Sequence, residues 1–110
     1  MSKVYAPHQP SKYDRTVSEW LPTINLEPAT KFGKLEILLP PNANLMHAGP
    51  LVTALSERMK DYSRDDYLIA VGDPTLFAAA AVIAYRQTGR LRMLKWDRMA
   101  SDYFVVEFPL

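Results

Sequence analysis

The stretch from Tyr67 to Asp97 constrains this chain more than any other. Tyr67 to Val71 is apolar, Gly72-Asp73-Pro74 stops it, Leu76 to Tyr85 is apolar without a break, and Gly89 precedes a second run from Leu91 to Trp96. Asp73 can accept hydrogen bonds from the free N–H groups of a first helical turn. Pro74 occupies the position proline prefers, and Gly89 can adopt the left-handed conformation that ends a helix. The pattern predicts one strand–helix–strand unit. Its helix has no polar face through Tyr85, so the sequence predicts it to be the most buried element of the protein. A sheet covers only one side of such a helix. The other side needs the N-terminal arm, another helix or a second subunit.

Lys34 to Leu39 reads as a further strand, ended by Pro40-Pro41 because proline cannot donate to a ladder. Leu51, Leu55, Met59 and Tyr62 recur at helical spacing, with Ser56, Glu57, Lys60 and Asp61 on the opposite side. Pro50 is tolerated in the first turn of that helix, and Asn42 or Asn44 is expected to cap it. Leu91–Asp97 and Tyr103–Phe108 are separated by a loop of hairpin length, and the alternation of Phe104, Val106 and Phe108 predicts a mostly buried last strand. Before these elements, Lys3 to Ala6 is a short strand. Pro7 to Lys31 reads mainly as ordered loop, with Thr16 or Ser18 as the alternative cap of a short turn carrying Trp20 and Leu21. A loop of that length is usually functional or packed on something.

The expected fold is therefore α/β: a small, mostly parallel sheet of four to five strands with two helices and a C-terminal antiparallel hairpin. Residues 1–110 form a single domain, with a strand and proline-rich arm over 1–31 and a βαβαββ core over 32–110.

Charge names no partner. Thirteen Lys and Arg against twelve Asp and Glu leave +1, without the basic excess on which non-specific nucleic-acid binding draws. The absence of cysteine excludes disulfides, thiolate metal sites and a thiol nucleophile. No apolar run approaches the ~20 residues that span a bilayer, and Met1-Ser2-Lys3-Val4 opens no signal-peptide pattern, so a cytoplasmic, membrane-free protein is expected.

Ligands of open parallel sheets favour the crevice beyond the carboxyl ends of the strands. Three stretches converge there, and they nominate Asn42, Asn44, His47, Gly72, Asp73, Thr75 and Asp97 as ligand-binding candidates. The plainer account makes Asp73 a helix cap and pairs Asp97 with Lys95 or Arg98. Asp73 and Asp97 are too slight a basis for a magnesium site, and two distant histidines do not make a zinc site or a catalytic triad. No catalytic residue, metal or cofactor is assigned, and no nucleotide-binding glycine motif is present. Arg90, Arg92, Lys95 and Arg98 beside Trp96 form the best nucleic-acid candidate, against the plainer account of a charged sheet edge. Phe77, Ala80, Ala81 and Tyr85 are the candidate subunit interface, because one small domain has more apolar helix surface than it can readily cover.

The phrases Ile37-Leu38-Leu39-Pro40-Pro41-Asn42-Ala43, Pro50-Leu51-Val52-Thr53-Ala54-Leu55, Val71-Gly72-Asp73-Pro74 and Met93-Leu94-Lys95-Trp96-Asp97-Arg98 resemble a family of small uncharacterised proteins of tailed bacteriophages, many from aquatic hosts. The resemblance implies a protein made inside an infected bacterium. It transfers no functional residue, and it favours binding of a host or phage macromolecule over catalysis. The leading expectation is thus a non-enzymatic, homodimeric binding protein. A small-ligand or nucleotide binder, with enzyme activity as its extension, is the alternative, and a weak binder of single-stranded nucleic acid comes third.

Overall fold

A computed structural model describes residues 2–110. The elements are β1 (Lys3–His8), β2 (Ser11–Asp14), β3 (Glu19–Pro22), a 3-10 helix (Glu27–Phe32), β4 (Lys34–Leu39), α1 (Ala48–Arg58), β5 (Tyr67–Ile69), α2 (Pro74–Thr88), β6 (Arg92–Asp97) and β7 (Asp102–Glu107). Five strands form one sheet in the order β4-β1-β5-β6-β7, while β2 and β3 pair only with each other. The strands β4, β1, β5 and β6 are parallel and β7 closes an antiparallel hairpin, the mixed α/β sheet expected from the sequence.

The first strand takes a more central place than its length suggests. β1 lies between β4 and β5, and Val4, Tyr5 and Ala6 are all buried. It also runs past Pro7 to His8 instead of ending at Ala6. Pairing with β5 stops at Tyr5, so the N–H that proline lacks is not missed on that side.

Side chains alternate across the sheet and divide the core in two. Tyr5, Leu68 and Met93 face α1 and α2 and pack with Leu55, Met59, Leu76 and Ala80. Val4, Ala6, Ile69 and Leu94 face the other way and pack with Leu26 and Ala29 at the 3-10 helix. Helices therefore cover one face and the arm covers the other. Gln87 of α2 ties the two helices together, its Nε2 donating to the carbonyls of Met59, Lys60 and Tyr62 at 2.8–3.0 Å, where α1 ends.

Several expectations are corrected. Pro7 to Lys31 is not mainly loop, and Trp20 and Leu21 lie in β3, not in a capped turn. Tyr13 and Trp20 stand opposite each other in the ribbon, with ring centroids 5.5 Å apart. Nor is α2 the most buried element. It buries Leu76, Ala80 and Ala84, whereas Val82 is 56 % exposed and β5 is buried throughout. The sheet takes one side of α2, α1 takes a flank, and the remaining alanines expose little apolar area. The last strand is a sheet edge, so Tyr103 is buried but Phe104, Val105 and Phe108 are 43, 41 and 46 % exposed. His47, not an asparagine, stands at the N-terminus of α1 and caps it with no side-chain bond. Asn44 instead accepts from the Met46 N–H at 2.9 Å.

Candidate functional site

The direction in which each strand leaves the sheet locates the crevice. After β1 the chain passes to the face of the 3-10 helix, and after β5 it passes to the face of α2. Adjacent strands whose connections leave by opposite faces mark the switch point of an open parallel sheet, where ligands characteristically bind. At this point His8 and Gly72 approach closely, and a Cβ on Gly72 would lie 3.6 Å from the His8 carbonyl oxygen. Gly72 also has φ +87°, a conformation that favours glycine.

Beside the switch point, beyond the carboxyl ends of β5 and β6, a cleft of about 700 Å³ opens. Its floor is Ala70, Val71 and Gly72 at the end of β5, one wall is Pro74 and Phe77 of α2, and the opposite wall is Trp96 and Tyr103 of the terminal hairpin. The two rings of that wall meet edge to face, with centroids 5.0 Å apart and planes at 70°. The arm supplies the roof through Thr23, Ile24, Asn25 and Pro28. Local hydrogen bonds hold this roof. Gln9 Nε2 donates to the Ile24 carbonyl at 2.7 Å, the Thr23 N–H donates to the Pro10 carbonyl at 2.8 Å, and Asn25 Oδ1 accepts from the Glu27 N–H at 3.0 Å.

The chemistry of this lining is narrow. It contains no Asp, Glu, His, Lys, Arg or Cys, and its one titratable group is Tyr103. Burial raises the pKa of that phenol, so it is neutral at physiological pH. A cleft without an acid or base near neutrality offers apolar contact, ring stacking and the amide and hydroxyl of Asn25 and Thr23. It offers no general acid–base pair and no cation for a phosphate.

Of the ligand candidates nominated by sequence, Gly72 lines this cleft, and Asp73 joins Gly72, Ile24, His8 and Leu45 around a shallower cavity of about 440 Å³ beside it. Asp73 is the α2 cap, accepting from the Leu76 N–H at 3.0 Å, and Gly89 ends the helix at φ +71°. Asn42, Asn44, His47, Thr75 and Asp97 line neither cavity. Asp97 pairs with neither Lys95 nor Arg98. Its Oδ1 accepts from the N–H groups of Met99 and Ala100 at 2.9 and 3.3 Å, and so shapes the hairpin turn.

The basic cluster is divided as well. Arg90 grips Glu107 with two bonds of 2.6 and 2.9 Å, while Arg92 lies 4.1 Å from the Tyr67 ring centroid and donates to its hydroxyl. Lys95 and Arg98 are exposed. Among the interface candidates, Ala80 is enclosed in the core, Phe77, Ala81 and Tyr85 are partly buried against it, and Phe77 also reaches the cleft. In the roof, sequence reasoning missed Thr23, Ile24, Asn25 and Pro28. The one signal for them was the unusual length of the arm.

A family model described as Phage Pam3 gp32-like protein matches residues 2–110. No curated protein and no solved structure matches the chain.

Proposed function

The chain belongs to the family of phage Pam3 gp32-like proteins, and from that premise we propose that it is a non-enzymatic binding protein whose cleft receives an apolar side chain or short segment of a host or phage protein. The observation that carries this reading is the composition of the cleft: Ile24, Phe77, Trp96 and Tyr103 surround about 700 Å³ with no ionised side chain among the lining residues. Such an aromatic pocket with a few polar contacts suits the buried anchor of a protein interface, where a small number of side chains supply most of the affinity. A phage product acts in a cell full of bacterial and viral proteins, which supplies partners of this kind. Self-association belongs to the same reading.

Capture from lysate of infected bacteria tests it, with wild-type protein and Ile24→Glu run side by side. A specific protein recovered by the wild type and lost with Ile24→Glu, at unchanged melting temperature, is the expected result. In a Trp20→Phe background that purified partner shifts the emission of Trp96. Equal recovery by both forms, or recovery by neither, refutes the proposal.

The position of the cleft beyond the carboxyl ends of β5 and β6, next to the switch point, favours a second reading, a small planar or apolar ligand held in the same place. A thermal-shift screen distinguishes the two, because a ligand that binds only the folded state raises the melting temperature in the absence of any other protein.

A further inference from the structure

The two edges of the sheet are treated differently. At the β4 edge Lys34 and Glu36 place charges along the strand, and Arg58 Nη1 donates to the Leu38 carbonyl at 3.0 Å, occupying a backbone acceptor there. Proteins blunt exposed edges in this manner to keep other strands away. The β7 edge has no such protection. Between Asp102 and Glu107 it carries only Tyr103, Phe104, Val105 and Val106, and beyond Glu107 comes Phe108.

The free backbone groups of β7 can be assigned. Phe108 N–H donates to the Leu91 carbonyl, and β7 pairs with β6 antiparallel, Arg92 opposite Glu107 and Asp97 opposite Asp102. In an antiparallel ladder the residues that bond to a neighbour alternate, so even-numbered β7 residues bond to β6. Tyr103, Val105 and Glu107 direct their backbone groups to the open edge. Two stops bound this free stretch. Asp102 Oδ1 accepts from the Tyr103 N–H at 2.8 Å, and Pro109 has no N–H to offer.

We propose that two copies of this chain pair antiparallel through β7, about a two-fold axis at Val105, to make one continuous sheet. This deepens the self-association part of the reading above and is independent of the cleft's occupant. At this register Val105 exchanges two hydrogen bonds with Val105 of the second copy, and each Glu107 N–H meets a Tyr103 carbonyl. Four bonds form with both stops undisturbed. Phe104 falls opposite Val106, Asp102 opposite Phe108 and Glu107 opposite Tyr103, so no carboxylate faces another. A two-fold at Phe104 uses fewer of the free groups, because the Tyr103 N–H that would meet Val105 is already held by Asp102. A two-fold at Val106 also forms four bonds but brings Pro109 opposite Tyr103 and separates the two Val105 side chains, so cross-linking at Val105 tells the two registers apart. Phe104, Val105, Phe108 and Leu110 together expose on the order of 400 Å² per copy, below the ~800 Å² per partner of a standard stable complex, so the dimer is reversible.

Sedimentation velocity over a range of concentrations, together with cysteine cross-linking, tests the interface, and the natural chain contains no cysteine to interfere. The wild type is expected to pass from monomer to dimer as concentration rises. Val105→Lys should raise the dissociation constant at least tenfold at unchanged melting temperature, and Val105→Pro should do the same, since it removes only an outward N–H. Val105→Cys with copper phenanthroline should give a covalent dimer, while Ser18→Cys in the ribbon should not. A wild type that stays monomeric at all concentrations and a Val105→Cys that fails to cross-link overturn the proposal. So does a dimer that persists in both Val105→Lys and Val105→Pro. Loss of the dimer with lysate capture intact leaves the cleft reading standing, and the reverse outcome isolates the cleft as the failure.

Discussion

Asp66 Oδ1 accepts a hydrogen bond of 2.8 Å from the backbone N–H of Lys3, which joins the start of β1 to the start of β5 across 63 residues of sequence. The other carboxylate oxygen accepts from the Ser63 N–H at 2.7 Å and from the Ser63 hydroxyl at 3.2 Å. Asp66 is 3 % exposed, the buried charged residue at the foot of the sheet. Asp66→Ala removes the acceptor of the partly buried Lys3 and Ser63 N–H groups and is expected to cost about 2 kcal/mol, within the range of hydrogen bonds to charged groups. Urea unfolding checks it. Asp66→Asn, which keeps an acceptor oxygen, should lose less.

Two glycines give opposite expectations. A Cβ at Gly33 would lie 2.3 Å from the Ser2 carbonyl oxygen, a backbone atom in the tight connection where β4 begins beside β1. Gly33→Ala must therefore displace main chain, and a loss on the order of 3 kcal/mol is expected. Gly49, in the first turn of α1, has nothing within 4 Å of the same construction. Gly49→Ala should leave stability unchanged or raise it by up to about 1 kcal/mol through helix propensity. Thermal melts of both variants against the wild type settle the contrast.

The sequence was legible where local chemistry decides the structure. Asp73, Pro74 and Gly89 bound α2 as their capping preferences dictate, and the Leu51-Leu55-Met59 spacing gave α1. It was illegible where an element buries nothing. The strands β2 and β3 have no fully buried residue, so Tyr13 and Trp20 leave no alternation to detect, and the turn between them uses Ser18 at φ +54° in place of a glycine. The 3-10 helix buries only Ala29 of its own residues, with Leu26 just before it, too little for a period. That gap explains the partial success at the site. The carboxyl-edge rule led to Gly72, while the roof of the cleft came from the arm. The apolar surplus assigned to α2 was overstated because alanine counts as apolar in a pattern yet exposes little surface.

Acid should weaken the hold of β7 on the domain. The Arg90 side-chain bonds hold the Glu107 carboxyl below its usual range, and the Lys31 side chain and the Tyr103 N–H do the same for Asp102. A carboxylate whose folded pKa lies below its unfolded value contributes its full stability above the unfolded value, and that contribution drains away as pH falls through the folded one. The loss is thus expected to begin below about pH 4. Glu107→Gln should flatten the acid limb of the urea midpoint plotted against pH. Both ion pairs are exposed, so the difference should be small and should shrink further in about 1 M salt.

Arg92 separates a structural role from a nucleic-acid role. Its guanidinium stacks on Tyr67, whose ring packs edge to face on Phe32 at 5.5 Å, so the cation helps to hold the 3-10 helix region against the sheet. Arg92→Ala removes a cation–π contact and a hydrogen bond, together worth about 1 to 2 kcal/mol. Lys95→Ala, at an exposed position, should cost almost nothing. Phosphate binding by the cluster would reverse this order in a gel shift at low salt, because freely accessible cations release counterions and set the salt slope whereas engaged ones do not. The expected outcome is that Arg92→Ala lowers the urea midpoint without altering any retention of single-stranded DNA. An Arg92→Ala variant of wild-type stability, combined with a shallower salt dependence of DNA binding, would move Arg92 from the core of the fold to a nucleic-acid surface.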